Sequence, residues 1–265
     1  MNEKKYPEPV EALVVVLLTL GFILVAAVVL ALLMILPGSN INASSKLIYV
    51  FGGIPFLVVP LIYVKIRKYD AGAIFRFKSI PVEVVMLSMV IGITIGIIGD
   101  ELDRLIQMIL PIPPWFIEQL QFLTAATPYD WILLLLGVVV LAALSEEILF
   151  RGFLQVSLER KGDITRAVLL TSLTWTLVHV NPYWAIQIFI IGVVIGFLAW
   201  RTNSIIPAII VHGINNLLSL IFYNMGDQVT WYLVGNHVSL VILLPSAVVL
   251  VWSIQRVTAL YRKTM

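Results

Sequence analysis

There is no cysteine in this 265-residue chain, which removes disulfides, thiolate metal sites and a cysteine nucleophile together. Charge is scarce as well. Only 12% of the residues are Asp, Glu, Lys or Arg and 60% are hydrophobic, whereas a soluble globular domain is about a quarter charged. A formal net charge of +2 offers no electrostatic footprint for nucleic acid, so no such partner is expected. Neither an internal repeat nor a low-complexity tract is present, and no alternating apolar–polar pattern argues for a barrel. No Gly-x-Ser-x-Gly elbow and no His-Glu-x-x-His pair occur, so neither a serine-hydrolase nor a zincin signature applies. The charged stretch Met1 to Glu11 leads into a long apolar run without a small-residue cleavage site near its end. It reads as a retained first helix rather than a signal peptide.

What the chain does have is apolar length. Uncharged runs at Ala12 to Leu36, Leu47 to Val64, Val84 to Gly99, Tyr183 to Trp200, Ser204 to Tyr223 and Val238 to Ile254 approach or exceed the ~17 to 25 residues that cross ~30 Å of hydrocarbon. Two further runs are interrupted. Trp131 to Leu144 meets a charged cluster and resumes as Gly152 to Leu158, and Ala167 to Val180 is short and contains His179. Backbone groups in lipid must be satisfied within the segment, so the spans are helices. The expectation is an all-α polytopic membrane protein with about eight transmembrane helices, one integral domain over 1–265, with helices in 131–223 as its catalytic core. Gly52-Gly53-Ile54-Pro55 and Pro60 predict a kink in the second span.

Basic residues sort the loops. Lys65, Arg67, Lys68, Arg76 and Lys78 follow span two, Arg160, Lys161 and Arg166 follow span four, Arg201 follows span six, and Arg256, Arg262 and Lys263 end the chain. The alternate loops carry Asp100, Glu101, Asp103, Glu118, Asp130 and Asp227 against few cations. The positive-inside rule then places the N- and C-termini in the cytoplasm. Between Asp100 and Asp130 the chain holds Pro111, Pro113, Pro114, Trp115 and Phe116, an outer interfacial anchor by composition, with a substrate-gating lid as the alternative. Asn42-Ala43-Ser44 matches a glycosylation sequon.

The costliest stretch is Ser145-Glu146-Glu147-Ile148-Leu149-Phe150-Arg151. A charged side chain at the centre of a membrane helix costs about 2.5 to 3.5 kcal/mol on insertion scales. Glu147 and Arg151 are four apart with the acid on the N-terminal side, the favourable orientation for an ion pair. Glu146 points about 100° away from that pair, toward the bundle interior, where an uncompensated carboxylate suits a general base. A purely structural ion network is the alternative. Ser145 is expected to bond back to its own helix. Two of the three histidines lie in apolar spans, His179 one turn after Trp175 and His212 one turn before Asn216. Ionisable residues at such depth mark functional sites, although a membrane histidine also serves as an interhelical hydrogen-bonding residue. His237, beside Asn236 in an outer loop, reads as solvated.

Glu146-Glu147-x-x-x-Arg151, Trp175-x-x-x-His179 and His212-x-x-x-Asn216, in that order on three separate helices, resemble the motifs of the CAAX protease and bacteriocin-processing (CPBP, Abi, type II CAAX prenyl protease) family. Trp175 stands where that family usually has Phe, a departure expected to bear on pocket shape more than on catalysis. The resemblance implies an intramembrane endopeptidase acting on a membrane-associated protein or peptide, prenylated or not. It implies that Glu146 activates water, His179 orients that water, and His212 and Asn216 donate hydrogen bonds to the oxyanion. Glu147 and Arg151 would hold the frame, and Asn215 is disfavoured as the partner of His212 by the family's spacing. No cofactor is favoured. The alternative is zinc held by Glu146, His179 and His212, which fill three of four tetrahedral positions.

Two other classes of function remain at this stage: a catalytically silent scaffold that regulates another membrane protein, and a proton-coupled transporter using Glu146 and the histidines as a relay. Against the transporter stand the lack of an inverted repeat and of paired broken spans. Cleavage is expected near the cytoplasmic face.

Overall fold

The computed structural model describes residues 6–35 and 46–262. The sequon at Asn42 to Ser44 and the terminal Lys263 lie outside them. Eight main helices follow one another: α1 (Pro9–Ile35), α2 (Leu47–Arg67), α3 (Val82–Gln107), α4 (Pro128–Lys161), α5 (Ile164–Val178), α6 (Ala185–Thr202), α7 (Ile206–Met225) and α8 (Leu240–Leu260). Seven of them are long and apolar enough to cross a membrane, and the protein is an all-α polytopic membrane protein. The only strands among the described residues are a two-residue hairpin, Leu233–Val234 against His237–Val238, between α7 and α8.

The exception to eight full spans is α5. Its 15 residues rise only about 22 Å at 1.5 Å per residue, whereas the 34 residues of α4 run about 51 Å. The two are joined by Gly162 and Asp163 alone, and the Asp163 side chain caps α5 by accepting from the Arg166 amide at 3.1 Å. α4 is longer than the ~30 Å of hydrocarbon, and the short α5 turns back from its end and finishes at His179, packed on α4 and α6.

Local chemistry explains the boundaries. Thr127 and Asp130 form a reciprocal capping box at the start of α4, which satisfies backbone donors that a helix start leaves open. The predicted kink in α2 is a break at Gly53, between Leu47–Gly52 and Ile54–Arg67. α3 runs two turns further than its uncharged run, so Asp100, Glu101, Asp103 and Arg104 form its end rather than a loop. A short helix, Pro114–Leu120, occupies the connection that follows.

Within α4 the backbone is not uniformly α-helical. Leu135–Leu141 and Ile148–Leu154 are wound as π-helix on either side of Ala142–Glu147, a geometry that recurs at functional sites. The first stretch lies hard against α2. A β-carbon at Gly137 would fall 2.7 Å from the Tyr49 carbonyl carbon, so glycine is required for that approach. Every residue of the second stretch is buried, which makes this part of α4 the centre of the bundle, with α1, α2 and α5 against it. Helices α3 and α7, α3 and α8, and α5 and α6 also pack as pairs. Large apolar side chains on the outward faces of α1 and α8, such as Leu17, Phe22, Val241 and Trp252, meet lipid rather than protein.

Candidate active site

Glu147 and Arg151 are fully buried and paired, Nη1 to Oε1 at 2.9 Å, as their spacing predicts. The pair does not stand alone. The same Glu147 Oε1 accepts from His212 Nδ1 at 2.8 Å, although the two residues are 65 positions apart. The Arg151 Nη2 donates to the Gly192 carbonyl at 3.3 Å, and one turn further along α4 the Gln155 amide donates to the Gly196 carbonyl at 2.9 Å. Glycines four apart on α6 thus face side chains four apart on α4, leaving room for the two helices to meet through backbone carbonyls. Gln155 also bonds Glu159 at 2.8 Å, and Glu159 is held by both Nη1 contacts of Arg76, whose Nη2 reaches the Arg151 carbonyl at 2.6 Å. Burial lowers the Arg76 pKa, and the Glu159 carboxylate opposes that shift. The result is a dry polar ladder, Glu147, Arg151, Gln155, Glu159 and Arg76, along one face of α4.

Glu146 leaves the helix on another face. Its Oε2 accepts a 2.7 Å hydrogen bond from the indole Nε1 of Trp175. Trp175 is therefore more than the packing aromatic expected from its place in the motif: a Phe there has no donor. The same ring takes the Arg151 guanidinium over its face at 4.4 Å and meets His179 and His212 edge-on, with centroids 5.1 and 5.2 Å away.

The histidines are oriented by acceptors. His179 Nδ1 lies 2.7 Å from the Trp175 carbonyl. Since a carbonyl only accepts, Nδ1 carries the proton and the Nε2 of the neutral ring is an acceptor. His179 ends α5, and the next residue, Val180, has φ of +48°, a left-handed conformation that is a genuine outlier for a β-branched side chain. His212 Nδ1 likewise donates to Glu147, so its Nε2 is a donor only in a ring that carries both protons. Asn216 gives one amide hydrogen to the Val138 carbonyl in the first π-wound stretch at 3.0 Å and keeps its second hydrogen.

Glu146, Trp175, His179, His212 and Asn216 line one cavity of about 730 Å³, within the ordinary range for ligand sites. Asn215, set aside by motif spacing, lines it too, and its Oδ1 is buried without a hydrogen-bond partner. Gln187 and Asp103 also face it. Gln187 had a signal in the sequence, a lone amide in an otherwise apolar span. From the cluster the lining extends through Gly96 to Asp100, Asp103 and Arg104 at the end of α3, and to Tyr232 and Leu233 beyond α7. That is the acidic end of the bundle, so the expected opening on the basic side is not what the lining shows. The segment weighed as an anchor or a lid supplies Leu120 and Leu123 to the same wall, and its Phe116 ring packs 5.1 Å from Tyr183 and 5.5 Å from Trp184.

Three remaining expectations divide. Ser145 bonds back to the Ala142 carbonyl at 3.4 Å. His237 is not merely solvated, because its Nδ1 lies 2.8 Å from Glu101. For zinc, no group of three His, Asp or Glu side chains placed to hold a metal ion occurs among the described residues.

No curated protein matches the chain and no solved structure matches it. Residues 128–218, from the start of α4 into α7 and including every motif residue above, match the family model described as type II CAAX prenyl endopeptidase Rce1-like, the family that the motifs indicate.

Proposed function

We propose that the protein is an intramembrane endopeptidase that hydrolyses a peptide bond with water activated by Glu146, its catalytic core formed by helices within 131–223. The family match supports a protease of the membrane. The observation that carries the mechanism is the convergence of Glu146, His179, His212 and Asn216 on one cavity, held respectively by the Trp175 indole, the Trp175 carbonyl, Glu147 and the Val138 carbonyl.

In this reading the Trp175 indole holds one carboxylate oxygen of Glu146 and the other takes a proton from water. His179 Nε2 accepts the second hydrogen of that water and aligns its lone pair. The water oxygen forms a bond to the scissile carbonyl carbon, and the carbonyl electrons move to oxygen. The Nε2–H of His212, braced by Glu147, and the unused amide hydrogen of Asn216 then donate to the oxyanion, a contribution worth about 2.7 to 4 kcal/mol per donor. As the C–N bond breaks, Glu146 returns its proton to the amine.

The substrate class is a membrane-associated protein or peptide, prenylated or not, met within the lipid bilayer. Basic loops put both ends of the chain on the cytoplasmic side by the positive-inside rule. No metal takes part in the steps above. Peptidase activity that disappears on exhaustive chelation and returns with zinc would replace this mechanism.

Glu146→Gln keeps the shape and the Trp175 hydrogen bond but removes the base. Its kcat is expected to fall by about 10² to 10⁴, with the thermal unfolding midpoint of the purified protein unchanged. A Glu146→Gln enzyme that cleaves a membrane peptide as fast as wild type sinks the proposal.

A further inference from the structure

We infer that the catalytic cavity opens to the non-cytoplasmic face of the membrane, and that its substrate is a peptide segment presented on that side by a membrane-anchored or exported chain. The substrate part rests on the hydrolase reading above. The direction of opening rests on charge and geometry alone.

The two ends of the bundle are defined by contacts between segments remote in sequence. At one end Arg67 pairs with Glu11 at 2.7 Å, Lys161 with Glu8 at 2.9 Å and Arg256 with Glu83 at 2.6 Å, while Arg201 reaches the Thr258 carbonyl at 2.7 Å. The cations that sort into alternate loops are thus gathered in space. Short loops rich in Lys and Arg stay in the cytoplasm, so this end is cytoplasmic. At the other end Tyr232 donates to Asp100 at 3.0 Å, Arg104 donates to the Asn236 carbonyl at 3.3 Å, His237 lies 2.8 Å from Glu101, and Asn224 bonds the Leu123 carbonyl at 3.0 Å.

The cavity belongs wholly to that second end. Its wall uses the end of α3, the start of α6, the Leu120 and Leu123 segment and the turn with Tyr232 and Leu233, and none of the basic loops contributes. Below Glu146 the way to the cytoplasm is filled. Phe150, Phe153 and Leu154 are fully buried, and the ladder from Glu147 to Arg76 closes the same level with Arg151 and Gln155 fully buried and Arg76 nearly so. A peptide therefore reaches Glu146 past Asp100, Asp103 and Tyr232, from the side where the basic residues are not.

The absence of native cysteine allows a direct test on the full chain, since each introduced thiol is unique. Val234→Cys is exposed in the hairpin at the mouth, Leu233→Cys and Leu123→Cys lie on the cavity wall, and Arg166→Cys is exposed at the opposite end. Membrane vesicles of both orientations are treated with a membrane-impermeant maleimide. Right-side-out vesicles are expected to label Val234→Cys and at least one wall position, and inside-out vesicles only Arg166→Cys. The opposite pattern overturns the inference, and so does labelling of Val234→Cys with both wall thiols inaccessible in either orientation. Two single-pass reporters then carry the same peptide on opposite sides of the membrane, and only the non-cytoplasmic one is expected to be cut, with loss of cutting in Glu146→Gln. Cutting of the cytoplasmic reporter alone overturns the inference. If the thiols label as expected and neither reporter is cut, the direction of opening stands and the hydrolase reading is what fails.

Discussion

Glu146 and Glu147 are adjacent in sequence but leave α4 on different faces. Glu147 lies on the buried face of α4, where Arg151 and His212 both hold its Oε1 and each neighbour in turn is tied to the next helix. Glu146 lies on the face that looks into the cavity and is held only at one oxygen, by Trp175. A buried ion pair is expensive to assemble, because desolvation offsets much of the Coulombic gain. Its presence beside the site is explained by what it orients: Arg151 reaches α6, and Glu147 fixes the ring of His212 from α7. One carboxylate is committed to geometry and its neighbour is left for chemistry.

Breaking the buried face has the largest expected effect. Arg151→Met leaves Glu147 buried without its main countercharge, and removal of one partner of such a pair costs about 3 to 5 kcal/mol. The expected outcome is a steep fall in the unfolding midpoint in detergent, with little folded protein recovered. A normal midpoint would mean that His212 alone neutralises Glu147, and the contrast between the faces would be weaker than the geometry indicates.

Asn216→Ala acts on the cavity face and should separate stability from rate. The variant removes the hydrogen proposed for the oxyanion and the anchor on Val138. A kcat lower by about 10² to 10³ is expected from losing one oxyanion donor, with a loss of stability of about 1 kcal/mol from the lost anchor. Asn215→Ala is the internal control, since Asn215 lines the same cavity. An equal loss of kcat there would assign the oxyanion donor to the wrong amide.

The helical bundle was legible in the sequence because burial in lipid leaves a simple record, long uncharged runs separated by charge. Motif order was legible for a similar reason, since Glu147 and Arg151 announce themselves by a four-residue spacing. What lay beyond reach was tertiary. Nothing local connects Glu147 to His212, and the two π-wound stretches flanking Ala142–Glu147 leave no periodicity distinct from an α-helix over so few residues. The shortness of α5 was visible, but its meaning depended on how far α4 overshoots. The direction in which the cavity runs is likewise a property of packed helices. The expectation of cleavage near the cytoplasmic face pointed to the opposite side.

Trp175 joins the two faces, and its replacement is the finest test of how separate they are. The indole donates to Glu146 on one side while its ring covers the Arg151 guanidinium on the other. Trp175→Phe keeps an aromatic face for Arg151, somewhat weakened because indole is the best cation–π partner, but it deletes the hydrogen bond to Glu146. A hydrogen bond to a charged group is worth about 1.5 to 3 kcal/mol. If the bond positions the carboxylate for its water, kcat falls by roughly tenfold or more while KM and the unfolding midpoint stay near wild type. A fall in the midpoint with kcat intact would place the role of the indole on the buried face instead. In that case Glu146 is held by the cavity as a whole, and the tryptophan found where Phe is usual serves packing alone.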